Sequence, residues 1–221
     1  MGREPERLAA ADFQRMLDVS RETQDKFERY AALLTKWTAA INLISPRSLP
    51  DLWRRHFLDS AQLAAHLPPA PEGRARVLLD LGSGGGFPGL VLALLGCGHV
   101  HLVESDQRKS VFLREVVRET GAEATVHTAR IEAVAPFPVD VVTCRAFAPL
   151  SKILALSEPF LAPGCGQEGA VGLFLKGRTA DLELTEACKT WRLRIERIES
   201  MTDPEGTILR LKLLSVEDGA S

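Results

Sequence analysis

Three features of this 221-residue chain predict an α/β fold. Strand-like and helix-like segments alternate after residue 76. A buried strand, Val77-Leu78-Leu79, runs straight into a glycine turn and then an aliphatic helix, Leu90–Leu95. Ahead of these lies a stretch whose apolar period is purely helical. The expected architecture is a mostly parallel seven-stranded sheet with helices on both faces and an N-terminal helical extension.

Taken in order, Phe27, Tyr30, Leu33, Leu34, Trp37 and Ile41 recur at spacings of three and four, one apolar face of an amphipathic helix. A turn at Ser45-Pro46 follows. Pro50 opens a second helical stretch with Leu52, Trp53, Phe57, Leu58, Leu63 and Leu67 as its apolar set. Residues 67–75 hold three prolines and a glycine and read as a stiff linker. The expected division is therefore a helical extension over 1–66 packed on the core, a linker over 67–75, and a ligand-binding domain over 76–216. Strands are expected at 76–81, 99–104, 123–128, 139–144, 170–175, 192–200 and 207–214, and helices at 88–95, 107–120, 149–161 and 179–190. The last two strands meet at Asp203-Pro-Glu-Gly206 and predict an antiparallel hairpin closing one sheet edge. Glu217–Ser221 read as a frayed end.

Composition bounds the function. Hydrophobic residues make up 45% and charged residues 25%, ordinary for a soluble intracellular protein, with no membrane-spanning run and no leader. The cysteines at 97, 144, 165 and 188 are scattered, which points to reduced thiols rather than a zinc site or a disulfide framework. A net charge of −2 gives no global basic field, so any nucleic-acid contact comes from a local patch.

The glycine turn carries the chemistry. Glycines at 82, 84 and 86 permit a tight turn and a close backbone approach to a ligand. Asp80, two residues before the first, would repel a dinucleotide pyrophosphate but attract the sulfonium and ammonium of S-adenosylmethionine. Phe87 stands where G-x-G-x-x-G needs its third glycine. The turn thus favours S-adenosylmethionine over NAD.

Ligands of such sheets bind at the carboxyl ends of the strands. The second strand ends at Glu104, either suitably spaced to accept hydrogen bonds from two ribose hydroxyls or an ordinary surface glutamate. Beyond the third, Ile131 and Glu132 lie in a loop that either flanks an adenine edge or merely opens a helical turn. The fourth ends at Arg145, which faces the cleft or pairs with a neighbouring carboxylate; Phe147 and Pro149 beyond it are candidate stacking surfaces. The fifth ends at Lys176-Gly-Arg178, a phosphate contact or a solvated helix start. Arg47, Arg54, Arg55 and His56, with Arg108, Lys109 and Lys152, complete the candidate phosphate contacts, although such groups are also ordinary solvated faces. Arg55 and Asp59 sit at helical spacing for a structural pair, and His56 is a packing as well as a contact candidate.

The pieces D-L-G-S-G-G-G-F-P-G, V-E-S-D-Q-R-K, A-R-I-E, C-R-A and L-K-G resemble the bacterial 16S rRNA guanine-N7 methyltransferase family RsmG, also called glucose-inhibited division protein B. I-N-L-I-S (41–45) and R-H-F-L-D-S (55–60) are similar to two further signatures of that family, so the resemblance runs from about Phe27 to Leu213. Gly85, Cys144 and the longer stretch Gly164–Ala170 depart from its usual pattern. The resemblance implies a Rossmann-like class I methyltransferase acting on N7 of guanine 527 in 16S rRNA (standard rRNA numbering). It implies S-adenosylmethionine contacts at Gly82, Phe87, Ile131, Glu132 and Arg145, beside those read above for Asp80, Gly84 and Glu104. Arg55, His56, Arg145, Lys176 and Arg178 become the candidate RNA contacts, with no metal and no catalytic acid or base. The implied partner is 16S rRNA or the 30S subunit, met by a cytoplasmic monomer. A methyltransferase of small molecules or proteins, and a non-catalytic adenosyl-ligand binder, share the same turn; R-H-F-L-D-S together with F-P-G separates the first reading from both.

Overall fold

The computed structural model describes residues 7–162 and 169–214. The 164–170 stretch, apart from its last two residues, and the chain end from 215 onward lie outside them.

Seven strands form one sheet in the order β3-β2-β1-β4-β5-β7-β6. They are β1 (Val77–Leu81), β2 (His99–Glu104), β3 (Ala124–Thr128), β4 (Val141–Arg145), β5 (Val171–Lys176), β6 (Leu193–Glu199) and β7 (Thr207–Leu213). The first five are parallel, and β7 runs antiparallel to both β5 and β6, as the Asp203–Gly206 turn predicted. Strand order reverses between β1 and β4, which places a crevice at their carboxyl ends.

The central strands read as near-continuous apolar runs because both faces are covered. Alternation sends Leu78, Val100, Leu102, Val141 and Leu173 into one hydrophobic cluster and Leu79, Leu81, Val103, Val142 and Phe174 into the other. The second face is closed by α6 (Leu150–Leu161) and α7 (Ala180–Ala187). The first is closed by α4 (Gly89–Leu94) and α5 (Gln107–Thr120), with α5 capped by the Asp106 carboxylate at one end and by Gly121 in the left-handed region at the other.

The N-terminal helices belong to that first cluster. α1 (Ala10–Leu17), which periodicity missed, is short and buries little beyond Phe13. α2 (Arg21–Thr38) buries Phe27, Tyr30 and Leu34 as expected and ends before Ile41. The second helical stretch is irregular. A 3₁₀ turn at Leu49–Asp51 gives way to a π-helical turn at Trp53–Leu58, a short α3 (Asp59–Ala61) and a further 3₁₀ turn at Gln62–His66. Phe13, Phe27, Tyr30 and Phe57 make an edge-on aromatic cluster that ends on Phe87 of the glycine turn, where the Tyr30 and Phe87 rings stack with centroids 5.5 Å apart. The buried Tyr30 hydroxyl donates to the Gly85 carbonyl. The turn is thus sandwiched between the sheet and the N-terminal layer.

Candidate active site

A cavity of about 990 Å³ opens at the carboxyl ends of β1, β2 and β4, roofed by the N-terminal segments 43–48 and 51–59. The glycine turn forms its floor. Gly82 has φ +64 and faces the ring of Phe147 so closely that a Cβ would lie 2.2 Å from it. Ser83 N–H donates to Val103 O, which ties the turn to β2.

Glu104, at the end of β2, is buried, and each of its carboxylate oxygens accepts one backbone hydrogen bond. Gly84 N–H donates to Oε2 at 2.9 Å and Asp106 N–H to Oε1 at 2.8 Å. A carboxylate has about four acceptor positions, so it retains capacity for a ligand diol at the cavity wall. Ile131 is buried against the second cluster and lines the same wall, and Glu132 beside it is exposed.

Arg145 is the centre of the opposite wall. Its guanidinium, 16% exposed, donates to Arg55 O at 2.9 Å, to Asp59 Oδ2 at 3.2 Å and to His56 Nδ1 at 2.6 Å, and lies 4.9 Å from the centroid of the Phe87 ring. The carboxylate alternative for Arg145 is therefore realised without removing it from the cavity. Asp59 pairs with Arg145 rather than Arg55 and accepts from Thr202 Oγ1 and Gln62 Nε2 as well. Accepting from Arg145 at Nδ1 leaves His56 its proton on Nε2, which donates to Ser48 Oγ; that hydroxyl donates onward to Ser45 O. R-H-F-L-D-S is thus a clamp that aims Arg145.

Burial, with the Arg145 and Arg55 charges beside it, pushes His56 down to about 3, so the ring is neutral. Its folded value lies below the unfolded one near 6.5, so the unfolded chain takes up the proton first. Stability from this group is present above 6.5 and is lost as pH falls toward 3. His56→Asn keeps an acceptor for Arg145 and removes the titration. The wild type should lose about 2–3 kcal/mol more than this variant between pH 7 and 4.5, read from denaturant midpoints. Equal losses would exclude His56 as the source. Comparison with the variant also cancels Asp80, which works in the opposite direction. Burial raises Asp80 to about 6 from 3.8, so its contribution grows as pH falls through that window.

Several expected contacts move. Asp80 does not line the cavity. Strand alternation turns it to the same face as Leu78, where it is fully buried beneath the turn and accepts from Thr143 Oγ1 at 2.9 Å. From there it supports the turn, its backbone carbonyl accepting from Ser83 Oγ. Lys176 is 8% exposed and lies outside this cavity; its Nζ donates to Ala148 O at 2.7 Å and Glu183 Oε2 at 2.8 Å. Arg178 is exposed, pairs with Glu205 and lines no part of the cavity. His56 is buried and spends both ring nitrogens inside the protein, so it is not a free RNA contact. Arg55 is exposed at the rim, together with Arg130 and Lys152. The structure brings Gly82, Gly84, Phe87, Glu104, Ile131, Glu132 and Arg145 around one cavity. Sequence reasoning missed Ser48 and Thr202, which reach the site only through tertiary contacts.

These residues fit S-adenosylmethionine: a glycine floor, an acidic wall for a diol and an apolar face at Ile131. Fold and site together define a Rossmann-like class I methyltransferase. Two solved structures share the fold. MtNAS in complex with S-adenosylmethionine superposes with a TM-score of 0.56 at 13% identity, covering 94% of this chain and 85% of that one. P. horikoshii TYW2 in complex with MeSAdo gives 0.54 at 14%, covering 79% and 66%. A family model described as rRNA small subunit methyltransferase G matches residues 23–208. Ribosomal RNA small subunit methyltransferase G of Rhodospirillum centenum is 56% identical over 202 residues, covering 91% of this chain and 89% of that protein. The chain belongs to the rRNA small subunit methyltransferase G family.

Proposed function

We propose that this chain methylates N7 of guanine 527 of 16S rRNA in the small ribosomal subunit, using S-adenosylmethionine. The observation that carries the reading is the clamp itself. Arg55, His56 and Asp59 of the N-terminal layer fix Arg145 over Phe87 at the cavity, an investment that cofactor binding alone does not require.

When bound, S-adenosylmethionine supplies a methyl group activated by its sulfonium. The protein's own task is positional. Gly82 and Gly84 allow close approach, Glu104 holds the ribose, Ile131 covers an adenine face and Glu132 borders that loop. Guanine N7 carries a lone pair and no proton, so the residues need only hold N7 in line with the methyl carbon. His56 is not a base, because Arg145 already occupies its free nitrogen. The acidic wall at Glu104 and Glu132 would tolerate the cationic character that the bound sulfonium and then the methylated guanine would bring to the cleft. Arg145 borders the RNA side, with Arg55, Arg130 and Lys152 at the rim as phosphate contacts. Among the described residues no helix is long and apolar enough to cross a membrane, and the exposed large apolar side chains are scattered over several elements. The form we propose is a cytoplasmic monomer.

The test is methyl transfer from tritiated cofactor to 30S subunits isolated from cells lacking this modification, mapped by reduction and aniline cleavage. A single cleavage at guanine 527 is expected. Cofactor binding without incorporation into 30S subunits or 16S rRNA would overturn the substrate, and incorporation at another nucleotide would overturn the position.

A further inference from the structure

Among the described residues the exposed large apolar side chains are Met16, Val111, Phe147, Leu182 and Met201, and of these only Phe147 lines the cavity. Its ring is 40% exposed and also borders a second hollow of about 520 Å³, walled by Leu175, Lys176, Gly177 and Thr207 at the carboxyl ends of β5 and the start of β7. Phe147 is therefore the partition between the cofactor cavity and a neighbouring space. Its ring also lies directly over Gly82, beside the place where the methyl donor is held.

The segment that carries it is held at both ends. Arg145 is fixed by Asp59 and His56, Ala148 O accepts from Lys176 Nζ, and Leu150 N–H donates to Glu183 Oε2 at 2.8 Å. Lys176 and Glu183 are themselves paired at 2.8 Å. Between these anchors Ala146 sits at φ 49, in the left-handed region that a non-glycine residue rarely adopts. Such a conformation persists only where its surroundings over-determine it, and it raises the next side chain, Phe147, at the crest of the strap.

An aromatic face carried on an anchored backbone strap at the border of two hollows suits a flat, unstacked base. Proteins that read single-stranded RNA stack splayed bases on such rings, and enzymes acting on a base place it against aromatic walls. The adenine of the cofactor already has Ile131 for its face, so the Phe147 ring is left for the acceptor. We propose that Phe147 is the stacking platform for the target guanine, with the N7 edge turned into the cofactor cavity and the body of the base in the second hollow. This rests on the methyltransferase reading above.

The experiment compares wild type with Phe147→Ala, Phe147→Leu and Phe147→Tyr in two measurements: kcat/KM for methyl transfer to unmodified 30S subunits, and Kd for S-adenosylmethionine by calorimetry. Stacking predicts a fall of at least about 10-fold in kcat/KM for the alanine and leucine variants, recovery by tyrosine, and cofactor Kd within about 2-fold throughout. A leucine variant as active as wild type would overturn the inference, since bulk rather than a π-face would suffice. A cofactor Kd that rises in step with lost activity would also overturn it, making Phe147 a wall of the cofactor site. Wild type inactive on both 30S subunits and 16S rRNA would overturn the proposed substrate and the inference together, whereas an active wild type with an unaffected leucine variant would overturn the inference alone.

Discussion

Arg145→Ala should abolish measurable methyl transfer, a loss of at least about 100-fold, and should cost about 3 kcal/mol of stability. The guanidinium is largely buried and makes three hydrogen bonds, so its removal leaves Asp59 without its counter-charge, His56 Nδ1 without a donor and the Arg55 carbonyl without a partner. The stability cost comes mainly from that uncompensated carboxylate, because Thr202 and Gln62 donate to Asp59 but carry no charge. The activity cost comes from position: with the clamp empty, the N-terminal roof loses its hydrogen bonds to the end of β4. Arg145→Lys should recover part of the stability and little activity, since one ammonium cannot span Asp59, His56 and the Arg55 carbonyl together. Urea unfolding and the 30S transfer assay separate the two effects. Full stability loss with activity reduced less than about 10-fold would make Arg145 a structural residue only.

That clamp also marks where the sequence ceased to be readable. The sheet was legible because its strands are short apolar runs bounded by turn residues, and each observed strand falls within two residues of its expected limits. The floor of the site was legible for the same local reason: a glycine turn and the acidic end of the next strand sit at spacings set by the fold. What no local pattern carried was the direction of side chains across long sequence separations. Arg145 reaches His56 eighty-nine residues away, and Asp59 reaches Thr202 across one hundred and forty-three. Charge and position left Lys176 open between a phosphate contact and a solvated helix start; the approach of Ala148 and Glu183 makes it an anchor of the neighbouring strap. Asp80 shows a different limit. Its proximity to the turn was legible, and period-two alternation puts it on the face of Leu78, buried beneath the turn and off the cavity lining. The π-helical turn over Trp53–Leu58, which aims Arg55 O, His56 and Asp59 at one point, has no sequence signature of its own.

The glycine floor and the Phe147 strap can be tested as one unit. Gly82→Ala should weaken S-adenosylmethionine binding by at least about 10-fold and destabilise the protein by about 1–2 kcal/mol. Two costs arise. Gly82 has φ +64, where any side chain is strained, and the new Cβ would meet the Phe147 ring at 2.2 and 2.7 Å. Because that ring is partly exposed and attached to a surface strap, it can swing outward, so the chain still folds. The methyl group then occupies the surface over which the ligand must pass. Adding Phe147→Ala separates the two costs. It removes the collision, so the double variant should recover roughly half of the lost stability, and the two changes should couple by about 0.5 kcal/mol or more. Cofactor affinity should stay low, since the Cβ and the strained backbone remain in the floor. Full recovery of affinity in the double variant would show that the alanine acted only by displacing the ring, and wild-type affinity in Gly82→Ala itself would remove the floor from the cofactor site.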